Sequence, residues 1–193
     1  MRRALPFLLA IAVVAAVVVG LVQAKEKTPD EPRAGFDAEA ALKSLEGAPP
    51  PLARLHDDAS RLLGGGLPAF RRRMRELRGH PVVINKWGSW CGPCRAEFPI
   101  FQRAAAKHGK TVAFLGIDGR DNRAQAEKFL AEFPLSFPSY VDFDEEIARA
   151  YDAPNNYPIT VFVDRRGKVV FPHAGPYRSV AELDRDIKRY LGA

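Results

Sequence analysis

With 193 residues, 47% hydrophobic side chains, a formal net charge of +6 and only two cysteines, the chain has room for one domain with a real core and none for a second. Zinc would need further Cys or His at ligand spacing, and phosphate- and nucleotide-binding motifs are absent. The basic balance does not point to nucleic acid, because the start of the chain places the rest outside the cell.

Arg2 and Arg3 precede an almost uninterrupted apolar stretch, Ala4 to Val22, before Lys25, Glu26 and Lys27 restore charge. At about 1.5 Å per residue this stretch just spans a hydrocarbon core of about 30 Å, and the leading arginines hold the N-terminus in the cytoplasm. Residues 1–24 are therefore read as a signal-anchor transmembrane helix, from which a protein single-pass in the cell membrane with the rest of the chain extracytoplasmic is expected. Val22–Gln23–Ala24 resembles a cleavage site, but the run is longer than a usual signal-peptide core, which favours an uncleaved anchor. Residues 25–51, with Thr28–Pro29–Asp30–Glu31–Pro32 and Ala48–Pro49–Pro50–Pro51, read as a Pro-rich, charged tether, with a short helix over Phe36–Leu45.

Residues 52–193 form the predicted domain. A helix around Leu52–Leu63 stops at Gly64–Gly65–Gly66, and a second covers Pro68–Leu77, where Arg71, Arg72, Arg73, Arg75 and Arg78 flank the apolar spacing of Phe70, Met74 and Leu77. Strand Val82–Trp87 leads into a helix over Arg95–Lys107 that Pro99 should bend. Next come strand Thr111–Ile117, helix Arg123–Phe133, a short strand near Ser139–Val141 and helix Glu145–Tyr151 behind a capping Asp144. Strands Ile159–Val163 and Lys168–Phe171 flank the turn Asp164–Arg165–Arg166–Gly167, and helix Val180–Leu191 closes the chain. A βαβ unit followed by a hairpin and a terminal helix implies an α/β fold, with a central mixed β-sheet flanked by helices.

Both cysteines lie in Trp90–Cys91–Gly92–Pro93–Cys94, between a strand and a helix. Free backbone N–H groups and the helix dipole favour a thiolate at Cys91, while Cys94 lies one turn deeper and is shielded. Cys91 is thus the attacking nucleophile and Cys94 the resolving thiol, cycling through a Cys91–Cys94 disulfide. Pro93 costs nothing in a first helical turn, and Gly92 lets a partner's backbone approach. A staple closing so small a loop would add little stability, so the spacing argues for exchange chemistry.

The order strand, WCGPC, helix, strand, then X-Pro ahead of a hairpin and final helix resembles a thioredoxin fold over about Arg78 to Ala193. Cys91–Gly92–Pro93–Cys94–Arg95–Ala96–Glu97–Phe98–Pro99 is similar to the CxxCRxExP pattern of the membrane-tethered TlpA-like branch, which includes ResA and CcmG/DsbE types. The segment from Asp121 to Tyr151 resembles that branch's central insert, and the anchor is a third likeness. The resemblance implies a cis bond at Tyr157–Pro158 beside the dithiol, with Trp90, Gly92, Pro93, Tyr157 and Pro158 meeting the substrate. It also implies that Glu97, three residues after Cys94, sits in an active-site cavity, where a raised pKa would let it relay the proton of Cys94. Asn85 stands where cytoplasmic thioredoxin has a buried Asp, which moves proton handling elsewhere; Lys86, on the opposite sheet face, has no assigned role.

The resemblance further implies a protein-disulfide reductase acting on disulfide-bearing exported proteins such as apocytochrome c, supplied with electrons by a membrane donor of the DsbD/CcdA type. No cofactor or metal is called for, and a monomer is expected. Gly-Pro between the cysteines is the dipeptide of a reducing couple near −270 mV. Three alternatives stand beside it. A copper-binding metallochaperone would use the two thiols with His173, although such proteins resemble a CxxxC spacing. A peroxide-linked redoxin would want Thr-x-x-Cys, where this chain has Gly88–Ser89–Trp90–Cys91. A general disulfide oxidase uses the same dithiol in the other direction. His56, His80 and His108 read as incidental.

Overall fold

The structure, a computed structural model, describes residues 36–153 and 155–193. The predicted anchor over 1–24 and the first part of the tether lie outside these residues. Among the described residues, no helix is long and apolar enough to cross a membrane.

The core is a six-stranded sheet of order β1-β4-β3-β2-β5-β6, built from β1 (Leu62–Leu63), β2 (Val82–Trp87), β3 (Ala113–Gly119), β4 (Ser139–Asp142), β5 (Ile159–Val163) and β6 (Val169–Ala174). The first four strands in that order run parallel, and β5 and β6 add antiparallel, so the sheet is mixed as predicted. β2, β3 and β5 are buried along their whole length, which is why they read as continuous apolar runs. Because side chains alternate across a strand, β2 feeds two cores. Val83 and Trp87 pack on one face beneath α4 (Gly92–His108), α5 (Arg123–Glu132) and α7 (Val180–Leu191). Val82 and Ile84 pack on the other, beneath α2 (Pro50–His56), α3 (Gly66–Glu76) and α6 (Glu146–Ala150).

Trp87 ends β2 wholly buried, with Phe98 at 5.3 Å and Phe129 at 5.1 Å between ring centroids, and its indole N–H donates to Ser139 Oγ at 3.1 Å. Gly116 makes that packing possible, since a Cβ there would press on Ser139 and the indole at once. Arg95 lies over Phe129 and Phe133 at 4.9 and 5.0 Å and pairs with Glu132 at 2.8 Å, fastening the start of α4 to α5.

Several elements differ from the sequence expectation. The short helix expected over Phe36–Leu45 is present as α1 (Ala38–Ser44), but it belongs to the domain rather than to a tether: it buries Ala41, Leu45 follows it into the interior, and residues 36–193 form one compact unit. The helix expected over Leu52–Leu63 ends at His56, and Leu62–Leu63 becomes edge strand β1, paired with Ser139 and Tyr140. Tertiary bonds override helical propensity there: Ser60 N donates to Phe137 O, Ser60 Oγ to Leu135 O, and Asp58 holds both Arg61 and Arg73. β3 runs two residues past the expected Ile117, taking Asp118 and Gly119 into the sheet. α6 is capped by the Asp142 carboxylate, which accepts from Ile147 N and Ala148 N at 2.8 Å each, rather than by Asp144. β6 continues through Pro172 to Ala174, which an edge strand tolerates because no neighbour needs the missing N–H.

Candidate active site

Cys91 is the N-cap of α4, in extended geometry (φ −85°, ψ 105°), and its Sγ accepts the backbone N–H of Cys94 at 3.2 Å. This is the capping role that Ser or Asp fills elsewhere, given to a sulfur whose anionic form the same N–H and the helix dipole would stabilise. Cys91 and Cys94 are joined as a disulfide with Cα atoms 5.2 Å apart. The predicted difference in access is narrow in this oxidised state: Cys91 keeps 4% of its surface and Cys94 none. Around the first sulfur, Trp90, Gly92 and Pro93 are exposed, and a Cβ on Gly92 would meet nothing within 4 Å, so a partner's backbone has room to approach.

The Tyr157–Pro158 bond is cis. Pro158 is buried immediately before β5, its carbonyl accepts from Gly175 N at 3.0 Å, and the Tyr157 ring stands 4.8 Å from that of Trp90. The loop and the dithiol motif thus share one rim.

Glu97 lies three residues after Cys94 on α4 and is fully buried. Oε1 accepts Asn85 Nδ2 at 2.7 Å and Oε2 accepts the backbone N–H of Tyr177 at 3.1 Å. Burial pushes its pKa up to about 8, and those two donors pull it back only in part. It sits one helical turn from Cys94, hydrogen-bonded through Asn85 to the strand that precedes the motif.

Residues outside the expectation complete the surroundings. Tyr177 reaches Glu97 through its N–H, donates its hydroxyl to Asp186 at 2.7 Å and stacks on His173 at 4.3 Å. His173 thus has an aromatic partner, and its Nδ1 lies 3.7 Å from Asp186. Among the described residues, no group of three or more His, Cys, Asp or Glu is arranged to hold a metal ion. His108, read as incidental, pairs with Asp184 at 2.7 Å.

Asp118, level with Trp87 on the neighbouring strand, is fully buried with neither oxygen hydrogen-bonded, and burial beside Asp121 pushes it up to about 9. Asp121 accepts from Ser89 N at 2.6 Å and Ser89 Oγ at 3.0 Å, two residues before Cys91. Lys86 is wholly buried and bound to Glu145 and Ala153. A charged residue inside the apolar runs of β2 and β3 was the one sequence signal for Lys86 and Asp118; the partners of Lys86 are distant in the chain and left none.

The AhpC/TSA family profile matches residues 71–171. The thiol-disulfide oxidoreductase ResA of Geobacillus thermodenitrificans is 33% identical over 104 residues, covering 53% of this chain and 59% of that protein. The thiol:disulfide interchange protein DsbE of Pseudomonas fluorescens is 31% identical over 146 residues, covering 68% of this chain and 77% of that one. Among solved structures, a secreted Mycobacterium tuberculosis disulfide oxidoreductase homologous to E. coli DsbE superposes with a TM-score of 0.53 at 28% identity, over 60% of this chain and 85% of its own. The chain therefore spans little more than half the length of the ResA relative, and most of the DsbE relatives.

Proposed function

The chain belongs to the AhpC/TSA family, with ResA- and DsbE-type thiol-disulfide oxidoreductases among its homologues, and on that premise we propose that it is an extracytoplasmic protein-disulfide reductase. The observation that carries the reading is the Cys91–Cys94 disulfide closed over the N-terminus of α4, with the fully buried Glu97 one turn behind it. In the reduced enzyme the Cys91 thiolate attacks one sulfur of a client disulfide, forming a mixed disulfide and expelling the client's other sulfur as a thiolate. Cys94, deprotonated with Glu97 as the relay, then attacks Cys91 Sγ. The client leaves as a dithiol and the two electrons it gained leave the enzyme oxidised, the state seen here. A membrane donor of the DsbD/CcdA type returns those electrons.

Direction is supported by the Gly92–Pro93 dipeptide of a reducing couple. The client class is supported by the predicted anchor over 1–24, which would hold the domain at the outer membrane face as a monomer, and by the ResA and DsbE relatives. Apocytochrome c, whose paired thiols must be reduced for haem attachment, is the client we favour. A peroxidase reading is disfavoured by Gly88, which stands three residues before Cys91 where a Thr would be wanted.

The test is trapping with the full chain. Cys91→Ser should abolish reduction of a protein disulfide, whereas Cys94→Ser should still attack and accumulate mixed disulfides with its clients. Equal trapping by both variants would contradict the assignment, and a redox potential as oxidising as about −120 mV would reverse the direction.

A further inference from the structure

A lysine wholly buried in a central strand calls for a reason, since stripping water from an ammonium costs several kcal/mol unless partners replace it. Lys86 Nζ lies 2.6 Å from Glu145 Oε1, donates to Ala153 O at 2.9 Å and stands 4.1 Å from the centroid of the Tyr157 ring. Glu145 is itself buried and gathers more than Lys86. The Tyr157 hydroxyl donates to its Oε1 at 2.8 Å, and Arg120 approaches Oε2 through Nε at 2.8 Å and Nη2 at 2.6 Å. Its backbone is left-handed (φ 57°), a conformation that costs a non-glycine residue roughly 1–2 kcal/mol and so is held by these contacts. Gly119 leaves the space, because a Cβ there would occupy the position of the Tyr157 hydroxyl.

Tyr157 is thus gripped at both ends of its ring system. Its hydroxyl is bound to Glu145, one face meets the Lys86 ammonium, and the ring stands 4.8 Å from Trp90, the exposed neighbour of Cys91. Lys86 alternates to the opposite sheet face from Asn85, so this cluster is separate from the Glu97 acid. We propose that Lys86 and Glu145 are positioning residues that fix a Tyr157–Trp90 aromatic ledge beside Cys91, and that the ledge receives an extended segment of a folded or unfolded protein client. The inference rests on the reductase reading above. It assigns the pair to client affinity and leaves the intrinsic reactivity of the sulfurs to the other face.

The experiment compares the full chain with Lys86→Met and Tyr157→Phe on two substrates: a protein disulfide (insulin) and a small aromatic disulfide (Ellman's reagent). Lys86→Met leaves Glu145 paired with Arg120, and Tyr157→Phe keeps the ring while cutting its hydroxyl bond, so the second variant serves if the first does not fold. Both should raise KM for insulin about tenfold with kcat within about twofold, the signature of lost binding common to ground and transition states. For Lys86→Met the rate with the small disulfide should stay within about twofold. In 5-fluorotryptophan-labelled protein the Trp90 resonance should shift and sharpen while that of Trp87 stays. Unchanged insulin KM, an equal loss on both substrates, or an unmoved Trp90 resonance would each overturn the inference. A wild-type chain that reduces insulin no faster than dithiothreitol would instead overturn the reductase reading.

Discussion

Asn85 and Lys86 are adjacent in β2, and the two faces they serve bury a glutamate in opposite ways. On one face Glu97 has two neutral donors, Asn85 and Tyr177, and no cation; burial outweighs them and the acid is held protonated, near 8. On the other, burial of Glu145 also acts to raise its pKa, but hydrogen bonds from Lys86, Tyr157 and Arg120 prevail and the carboxylate is held ionised, below its ordinary value. A neutral buried acid can give and take a proton near physiological pH; a doubly paired carboxylate cannot, and serves only to hold geometry. One strand therefore separates a buried acid with neutral donors from a buried, ion-paired carboxylate.

The comparison breaks most visibly in stability. Glu145→Gln leaves the Lys86 ammonium buried without its counter-charge, which typically costs about 3–5 kcal/mol, whereas Glu97→Gln replaces a neutral acid by a neutral amide of the same shape. Urea unfolding at pH 7 should show a large loss for the first and no loss for the second, because the wild type must take up a proton at Glu97 on folding at that pH and the Gln variant need not. Similar losses in both would mean that Glu97 is ionised in the fold or that Lys86 is not.

Activity should rank the two sites the other way. Glu97→Gln is expected to slow reduction of a protein disulfide by about tenfold to a hundredfold, the scale of a positioned acid–base, and to erase one inflection from the pH–rate profile. An unchanged rate and profile would leave Glu97 a structural hydrogen-bonding group.

The pH dependence of stability should have opposite signs at the two glutamates. Glu97 binds its proton more tightly folded than unfolded, so its contribution is full below about 4.5 and is lost as pH rises through about 8. Glu145 binds its proton less tightly folded than unfolded, so its contribution is present above the ordinary carboxylate range and is lost on acidification through its lowered value. Denaturant titrations from pH 4 to 9 should therefore show the decline of the wild type between about pH 4.5 and 8 flattened in Glu97→Gln, with about 1.4 kcal/mol per pH unit of slope removed over that window. A decline of equal slope in both proteins would place the titrating group elsewhere, with Asp118, near 9, the first alternative.

How much of this the sequence discloses follows from the range of each interaction. The dithiol, its capping geometry and Glu97 all lie within seven residues of one another, and spacing along a helix carries them. The mixed sheet follows from alternating apolar runs. What stays hidden depends on pairs distant in the chain: Lys86 with Glu145, Glu97 with Tyr177, Ser60 with Leu135. Asn85 could be seen as a departure from an acid but not as the hydrogen-bond donor to Glu97. β1 and the end of β6 were lost for a related reason, because a two-residue strand and a strand carrying Pro172 are specified by their partners' open edges rather than by their own pattern.

The smallest expected effect is the most discriminating. Asn85→Asp sets a second carboxyl against Glu97 at the present hydrogen-bond distance of 2.7 Å, with no cation added. Two carboxylates so close cannot both ionise readily, so the pair should share one proton and titrate in two macroscopic steps, the first below about 8 and the second above it. At pH 7 one proton still remains available behind Cys94, so the rate should change by no more than about threefold even though the alkaline inflection moves upward. Carbon-13 NMR of the labelled carboxyls, read beside the pH–rate profile, checks this directly. A single unshifted step near 8 would mean that Glu97 titrates independently of its neighbour, and that the hydrogen bond to Asn85 fixes its position without tuning its charge.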